Sequence, residues 1–133
     1  MNKNLIIGVD PGRDKCGVAV LNSEGGVKFS KVIPTDELEL TLKNLAARFD
    51  VELLILGNGT THLDAENKIK SLNLPVEVVD EKFTTEEARK LYWKKNPPKG
   101  WRKFLPTSMQ VPPEPVDNLV AEILVLRHLK IGA

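Results

Sequence analysis

Acidic side chains at three places in the sequence could do metal chemistry. Asp10 ends an apolar run that begins at Leu5 and is followed by a Pro-Gly turn. Asp80 and Glu81 end another apolar run, and Asp117 begins the last helical pattern. Ligands of open α/β sheets bind at the carboxyl ends of the strands. Each acid alone also has an ordinary explanation, as a turn residue or as a favourable charge at a helix N-terminus.

The three acidic places together predict a divalent-cation site. Carboxylates that converge on one edge repel one another unless a cation joins them. Oxygen ligands favour Mg²⁺ or Mn²⁺, and a pair of such ions about 4 Å apart activates water and stabilises the leaving oxygen of a phosphodiester. Cys16 is the only cysteine, which excludes an internal disulfide and argues against a cysteine zinc site, and His62 and His128 are isolated.

A basic segment follows the second acidic place. It runs from Arg89 to Lys103 and contains no acidic residue, although the net charge of the chain is only +1. Cations interleaved with Tyr92, Trp93 and Trp101 favour binding of single-stranded or distorted nucleic acid. The alternative is a solvated helix face with Trp101 folded back on the core. The basic residues are Arg89, Lys90, Lys94, Lys95, Lys99, Arg102 and Lys103.

The turn from Gly57 to Thr61 offers backbone N–H groups, the Asn58 amide and the Thr60 hydroxyl to a phosphate. An ordinary strand-to-helix turn explains the same residues equally well. The turn lacks the lysine of a P-loop, so ATP binding is not supported.

The elements that position these residues follow from hydrophobic periodicity. Strands are predicted at 5–10, 16–22 and 27–33, joined by short turns, which indicates an antiparallel meander. Strands at 53–57 and 76–80 follow, and the first of them is wholly apolar, as expected for a strand covered on both faces. The result is a mixed five-stranded α/β sheet, three antiparallel strands and then two parallel ones, flanked by helices.

Helical periodicity fills the gaps between and after these strands. Helices are predicted from Leu38 to Phe49 and from Asp64 to Leu72. Thr84 to Glu87 fits a capping box for the next helix, and Pro115 is placed at the favoured first position of the last one. Residues 96–115 form a long proline-rich loop, and such loops are often functional.

Length and composition set the class of protein. The chain has 133 residues, 41% of them hydrophobic and 28% charged, which is typical of a globular protein. We expect one domain over residues 1–133, no membrane segment and no signal peptide, and therefore a cytoplasmic protein. Both a monomer and a homodimer are compatible with the sequence.

Three motifs resemble the YqgF/RuvX family of Holliday-junction-resolvase-like nucleases. The first runs from Ile7 to Gly12 and on through Lys15 to Val20, and the second, Val79 to Ala88, is similar to the family's Asp-Glu-Arg-x-Thr-Thr segment. The third, Val116 to Ala121, resembles its closing helix centred on an aspartate. The turn at Gly57 is similar to that of the YqgF-like module of Tex transcription accessory proteins.

This resemblance implies a ribonuclease H-like fold, divalent-metal nuclease chemistry and a link to pre-16S ribosomal RNA 5′-end processing or Holliday junction resolution. It nominates Asp10, Glu81 and Asp117 as catalytic residues and as ligands of Mg²⁺ or Mn²⁺. Lys82 stands where the family has Arg, and it keeps the charge but not the bidentate fork. The residues expected to contact the substrate are Lys15, Asn58, Thr60, Lys82, Lys94, Lys95, Trp101, Arg102 and Lys103.

Three functions are compatible with these features. The first is a metal-dependent nuclease, acting on structured RNA or branched DNA, and the second is a nucleic-acid-binding module that does not cut. The third is an ATPase or sugar kinase of the actin-like fold, which also opens with a strand and Asp-x-Gly. We expect the third to fail, because the sequence is short for two lobes and shows no second phosphate motif.

Overall fold

The computed structural model describes residues 5–59, 62–82, 84–98, 100 and 115–130. Their elements follow the order βββαβαβαα that the sequence predicts. The strands are β1 (Leu5–Asp10), β2 (Lys15–Leu21), β3 (Val27–Pro34), β4 (Val51–Gly57) and β5 (Val76–Val79). The helices are α1 (Leu38–Arg48), α2 (His62–Ile69), α3 (Thr84–Lys95) and α4 (Asp117–Leu129). None of these helices is long and apolar enough to cross a membrane.

The five strands form one mixed sheet in the order β3-β2-β1-β4-β5. β1 pairs antiparallel with β2 and parallel with β4, and β5 extends the parallel part. Antiparallel strands can be joined by tight turns, whereas parallel strands need a crossover, which here contains α1 or α2. The predicted mixed sheet of three antiparallel and two parallel strands is confirmed. Because β1 and β4 are parallel, Asp10 and Gly57 end neighbouring strands at the same edge.

Helices cover both faces of the sheet. On one face Ile7 and Val9 of β1 pack with Leu42 of α1 and Ile69 of α2. On the other face Ile6 and its neighbours on β2 and β4 pack with Ala121, Leu124 and Val125 of α4. Alternate residues of one strand thus enter two cores, which is why the β1 sequence is apolar without interruption.

Two glycines let α4 approach the sheet. A Cβ at Gly8 would overlap the carbonyl oxygen of Ala121, and a Cβ at Gly17 would overlap that of Asp117. Gly17 is the register partner of Asp10 across the β1–β2 ladder. The absence of a side chain at Gly17 therefore brings the start of α4 close to the end of β1.

One predicted helix start and one predicted helix cap are wrong. Pro115 does not begin the last helix, because Val116 has non-helical dihedrals (φ −111°, ψ 14°) and α4 starts at Asp117. The capping box is also absent, because the Thr84 hydroxyl donates to the Glu81 carbonyl oxygen and the Glu87 carboxylate pairs with Arg127 at 2.7 Å. Thr84 therefore bonds to the preceding turn and Glu87 to α4, in place of the side-chain-to-backbone hydrogen bonds of a capping box.

Substituting Ala for Gly17 is expected to destabilise the protein by about 2–3 kcal/mol, because the overlap is with helix backbone that cannot turn aside. Gly57→Ala is the matched control, since the group it meets is the end of the Glu81 side chain. Urea denaturation of both variants measures the difference. Equal stability of the two would mean that α4 is not held against Gly17.

Candidate active site

The Asp10 carboxylate lies at the carboxyl end of β1, the central strand of the sheet. Pro11 and Gly12 follow it and turn the chain away, and the Gly12 carbonyl oxygen accepts a hydrogen bond from the Thr35 hydroxyl at 2.9 Å. Thr35 also contacts the buried Sγ of Cys16 at 3.3 Å, which confirms Cys16 as a small core residue. The turn after Asp10 is thus anchored to the end of β3.

Glu81 is the neighbour of Asp10 across the strand edge. Its carboxylate lies over the backbone of Gly57 and Gly59, where a Cβ at Gly57 would overlap it. One carboxylate oxygen, Oε1, is buried and takes no hydrogen bond from a described donor. The Asp10 carboxyl is within hydrogen-bond reach of Glu81, so the two can share a proton. A buried oxygen without a donor is costly, and a cation is one way to satisfy it.

The Asp117 carboxylate reaches the same edge from the first turn of α4. Its negative charge adds to that of Glu81 at Asp10, which places the three carboxylates in one electrostatic neighbourhood. Lys15, exposed at the start of β2, is close enough to Asp117 for its positive charge to stabilise the ionised carboxylate.

Burial, a hydrogen bond to Glu81 and the negative charges of Glu81 and Asp117 raise the pKa of Asp10 from 3.8 to about 8. Burial also raises the pKa of Asp117, and Lys15 opposes that change. Both shifts show that ionising these carboxyl groups in their buried surroundings is costly, and at Asp10 the neighbouring negative charges add to that cost. Carboxylate oxygens that are close together suit a hard divalent cation, so the donor set fits Mg²⁺ or Mn²⁺.

The three carboxylates are neighbours rather than a preassembled ligand set. Within the part of the chain that the structure describes, no three His, Cys, Asp or Glu side chains are grouped closely enough to hold an ion together. The Asp10 carboxyl faces Glu81, and its raised pKa favours the protonated form, so a proton on Asp10 has to leave before Asp10 can bind a cation.

Asp80 serves the turn rather than the carboxylate group. Its Oδ1 accepts the Lys82 backbone N–H at 2.9 Å, and its carbonyl oxygen accepts from Arg127 of α4 at 3.4 Å. Asn58 holds the same turn from the other side, because its Oδ1 accepts the Glu81 backbone N–H at 3.0 Å. The Asn58 N–H donates to the Val79 carbonyl oxygen. Asn58 therefore helps to position Glu81, and its contact with a phosphate stays a prediction.

The basic residues expected to contact the substrate divide into two groups. Lys94 is exposed on α3, and Lys82 is exposed in the turn before it. Lys95 differs, because its Nζ lies 2.8 Å from Oε1 of Glu122, which is buried. The charge of Lys95 thus already has a partner, and contact of Lys95 with the substrate stays a prediction. Four predicted residues lie outside the described residues: Thr60, Trp101, Arg102 and Lys103.

The aromatic residues of α3 are core residues. Tyr92 and Trp93 are buried, with their rings edge to face at 5.0 Å, and they pack with Ala88, Leu119 and Val120. The expectation that they stack on bases is therefore wrong for these two side chains, whereas the burial of Tyr92 that the helical spacing predicts is confirmed. The 3.6-residue period that places Tyr92 on the same face as Ala88 is the sequence signal for this burial.

Arg127, Gly17 and Gly57 help to position the site, a role that the sequence analysis did not assign to them. Arg127, near the end of α4, forms an ion pair with Glu87. It also donates a hydrogen bond to a carbonyl oxygen in the turn that carries Glu81. No local pattern could have found this contact. Gly57, at the end of a strand, carried a weak signal, because a strand-end glycine marks a close approach of another group.

The fold agrees with that of RuvC from Thermus thermophilus. The RuvC structure in complex with a Holliday junction substrate superposes with a TM-score of 0.61 over 93% of this chain and 91% of that chain, at 12% identity. A second T. thermophilus RuvC structure gives a TM-score of 0.55 over 95% of this chain and 96% of that chain, at 14% identity. No protein-family model matches the sequence, and no curated protein is significantly similar to it.

These similarities establish the fold as ribonuclease H-like, as the sequence predicts. The particular family, YqgF/RuvX, stays a prediction that rests on the three sequence motifs. At this level of identity the shared architecture carries no residue roles, so the roles of the carboxylates rest on their own geometry.

Without divalent metal, the stability of the protein is expected to fall as the pH rises. The pKa of Asp10 is about 8 in the folded chain and 3.8 in the unfolded chain, so between these values only the folded chain holds the proton. Rising pH therefore favours unfolding across this window. Asp10→Asn should remove this loss, which is about 4 kcal/mol between about pH 5 and about pH 8, because Asn has no proton to release.

Urea denaturation in chelator gives the unfolding free energies of wild type and Asp10→Asn at about pH 5 and about pH 9. The difference between the two proteins should change between these pH values. A difference that does not change with pH would show that Asp10 is ionised throughout and shares no proton with Glu81.

Proposed function

We propose that this protein is a metal-dependent nuclease that hydrolyses phosphodiester bonds of structured nucleic acid. The observation that carries the proposal is the group of three neighbouring carboxylates, Asp10, Glu81 and Asp117, at one edge of a ribonuclease H-like sheet. The proposal also draws support from one structural neighbour, the RuvC that is bound to a Holliday junction substrate. Branched DNA and precursor ribosomal RNA are the two substrates to test first.

Asp10, Glu81 and Asp117 would hold Mg²⁺ or Mn²⁺, which when bound activates water and stabilises the leaving oxygen of the phosphodiester. The protein's own groups do the rest. Lys15, beside Asp117, offers a positive charge to the phosphate. The turn anchored by Asn58 and the close approach at Gly57 keep Glu81 over the strand edge.

The exposed basic face of α3 would bind the phosphates that flank the cleavage point. Arg89, Lys90 and Lys94 are exposed, and no ion pair of theirs with a described residue is found. Each lysine or arginine that neutralises a phosphate releases counterions, so binding weakens as salt increases.

Replacing Arg89, Lys90 and Lys94 together with Ala is expected to weaken binding and to flatten its salt dependence, by up to about one unit of slope for each phosphate that is no longer neutralised. The control variant replaces Lys43, Arg48 and Lys70, which lie on or just after α1 and α2, the helices that pack on the opposite face of the sheet. Fluorescence anisotropy with labelled four-way junction DNA at several salt concentrations gives both slopes. Equal slopes for the two variants would place the ligand away from α3.

Purified protein should cut four-way junction DNA or precursor 16S ribosomal RNA when Mg²⁺ or Mn²⁺ is added, and should not cut in chelator. Linear duplex of the same sequence is the control substrate. Cleavage that persists in chelator would contradict a metal-dependent reaction.

The second candidate is a nucleic-acid-binding module that does not cut. The observation that favours it is the lack, among the described residues, of a three-ligand group already placed for an ion. Binding of both substrates with no cleavage in either metal would support this function in place of the nuclease.

A further inference from the structure

A small polar cavity lies between β3, the end of α3 and the start of α4. Its volume is about 200 Å³, and Ser30, Tyr92, Asn96, Asn118 and Glu122 contribute to its lining. Pockets for drug-sized ligands start at about 300 Å³, so this one suits a single small heterocycle better than a whole nucleotide. Asn118 directly follows Asp117, so one side chain of the candidate active site is the neighbour of the cavity.

A buried carboxylate gives the cavity its chemistry. Glu122 is only 2% exposed, and its Oε2 accepts the Ser30 hydroxyl at 2.6 Å while its Oε1 accepts the Lys95 ammonium at 2.8 Å. Burying a carboxylate costs several kcal/mol of folding free energy, which these two hydrogen bonds have to offset. Glu122 therefore does more than occupy space in the core. The network holds β3, α3 and α4 in a fixed relation around the cavity.

The hydrogen-bond acceptors in the lining that have no described donor favour a ligand that donates hydrogen bonds. The Asn118 side-chain N–H donates to the Ser30 hydroxyl oxygen at 2.9 Å, and no described residue donates to its amide oxygen. The Asn96 side-chain N–H likewise donates to the Tyr92 carbonyl oxygen at 3.2 Å. Lys95 also lines the cavity, but its positive charge is paired with Glu122 at 2.8 Å. Unused acceptors beside this ion pair disfavour a phosphate, which brings only acceptors and negative charge.

The cavity is within a few nucleotides of the carboxylates. Ser30 pairs with Ala19, which pairs with Gly8, two positions before Asp10 on β1. With strands about 4.8 Å apart and about 3.3 Å per residue, Ser30 is about 12 Å from Asp10. That distance corresponds to about three nucleotides of a stacked strand, in which each nucleotide rises by about 3.4 Å along the helix axis.

We propose that this cavity takes one unstacked nucleobase that carries an exocyclic amino group, cytosine first, from the strand whose phosphate lies at the carboxylates. The inference rests on the proposed binding of structured nucleic acid. An amino group can donate to the Asn118 amide oxygen and to the Glu122 carboxylate, and carboxylates accept from the cytosine amine in known readout geometry. Loops and bulges supply bases that are already unpaired, so little unstacking is needed to fill the cavity.

Binding without metal tests the cavity separately from catalysis. In chelator, wild type should bind short oligodeoxycytidylate about tenfold more tightly than oligodeoxyuridylate. Cytosine carries an amino group where uracil carries a carbonyl oxygen, and the two bases otherwise differ only in the proton on the adjacent ring nitrogen. Asn118→Leu keeps the side-chain size and removes the acceptor, so it should bring cytosine binding down to the level of uracil. Asn67→Ala, an exposed amide on α2, is the matched control and should leave the preference unchanged.

The base preference of a variant can be interpreted only if that variant is folded. Thermal melts accompany each variant, and Asn118→Ala is the second substitution at the same position if the leucine variant does not fold. Equal binding of cytosine and uracil by wild type, absence of binding to both, or a preference that survives loss of the Asn118 amide would each overturn the proposal.

Cleavage of a library distinguishes this proposal from the nuclease proposal. Junction and RNA substrates randomised at about four nucleotides on either side of the cut cover the estimated distance. One position should be enriched in cytosine or adenine among the products, and Asn118→Leu should remove that enrichment. Unbiased products would overturn the nucleobase site and leave the nuclease standing, whereas base-selective binding without any cleavage would sink the nuclease and leave the site standing.

Discussion

Asp10→Asn should reduce metal-dependent cleavage by at least about a hundredfold and leave nucleic-acid binding intact or tighter. Changing groups that merely orient metal ligands costs about 10–100-fold in other metal sites, and Asp10 would touch the ion itself. The amide keeps the shape of the carboxylate and loses the charge that binds a cation. Removing one negative charge also lessens repulsion of the phosphates.

Single-turnover cleavage and anisotropy on the same substrate measure the two effects separately. Asp14→Asn is the matched control, because it removes one carboxylate from the same turn, on a residue whose carbonyl oxygen accepts the Thr35 backbone N–H. Wild-type cleavage rates in purified Asp10→Asn would show that Asp10 holds no essential ion. A parallel loss of binding and cleavage would point to damage of the fold instead.

Glu81→Gln is the second variant with a large expected effect, and its neighbour Asp80 supplies the control. Glu81 faces Asp10, so Glu81→Gln should abolish metal-dependent cleavage. Asp80 accepts a backbone N–H in its own turn, so Asp80→Asn should reduce the rate less than about tenfold, in line with the modest worth of one hydrogen bond. Cleavage rates at saturating Mn²⁺ rank the two. The reverse order would assign the metal ligand to Asp80.

Gly57→Ala tests the same assignment without touching an ionisable group. The added methyl group would occupy the space of the Glu81 carboxylate and move it away from Asp10. Cleavage should therefore fall nearly as far as in Glu81→Gln, while stability changes by less than about 1 kcal/mol, because a flexible side chain can turn aside. Unchanged cleavage would show that the observed position of Glu81 is not needed for activity.

The sheet could be predicted from the sequence because its signals are local. The apolar runs at β1 and β4 and the turn residues between β1, β2 and β3 fix strand positions to within two residues of the structure. The convergence of Asp10 and Glu81 also follows, since both lie at the carboxyl ends of parallel strands or just beyond.

Features that depend on distant partners could not be predicted. The capping box does not form because Glu87 pairs with Arg127, which is 40 positions away along the chain. The sequence alone leaves Lys95 available to the substrate, because nothing in it places Glu122 beside that lysine. The basic neighbours of Tyr92 and Trp93 favour a stacking role for these rings, although helical periodicity favours their burial.

A crystal soaked in Mn²⁺ tests directly whether Asp10, Glu81 and Asp117 bind a divalent cation. An anomalous difference peak in contact with all three carboxylates is expected, because the bound cation balances their negative charge and displaces the proton of Asp10. A crystal at saturating Mn²⁺ that shows no such peak between the three carboxylates would contradict their role as metal ligands.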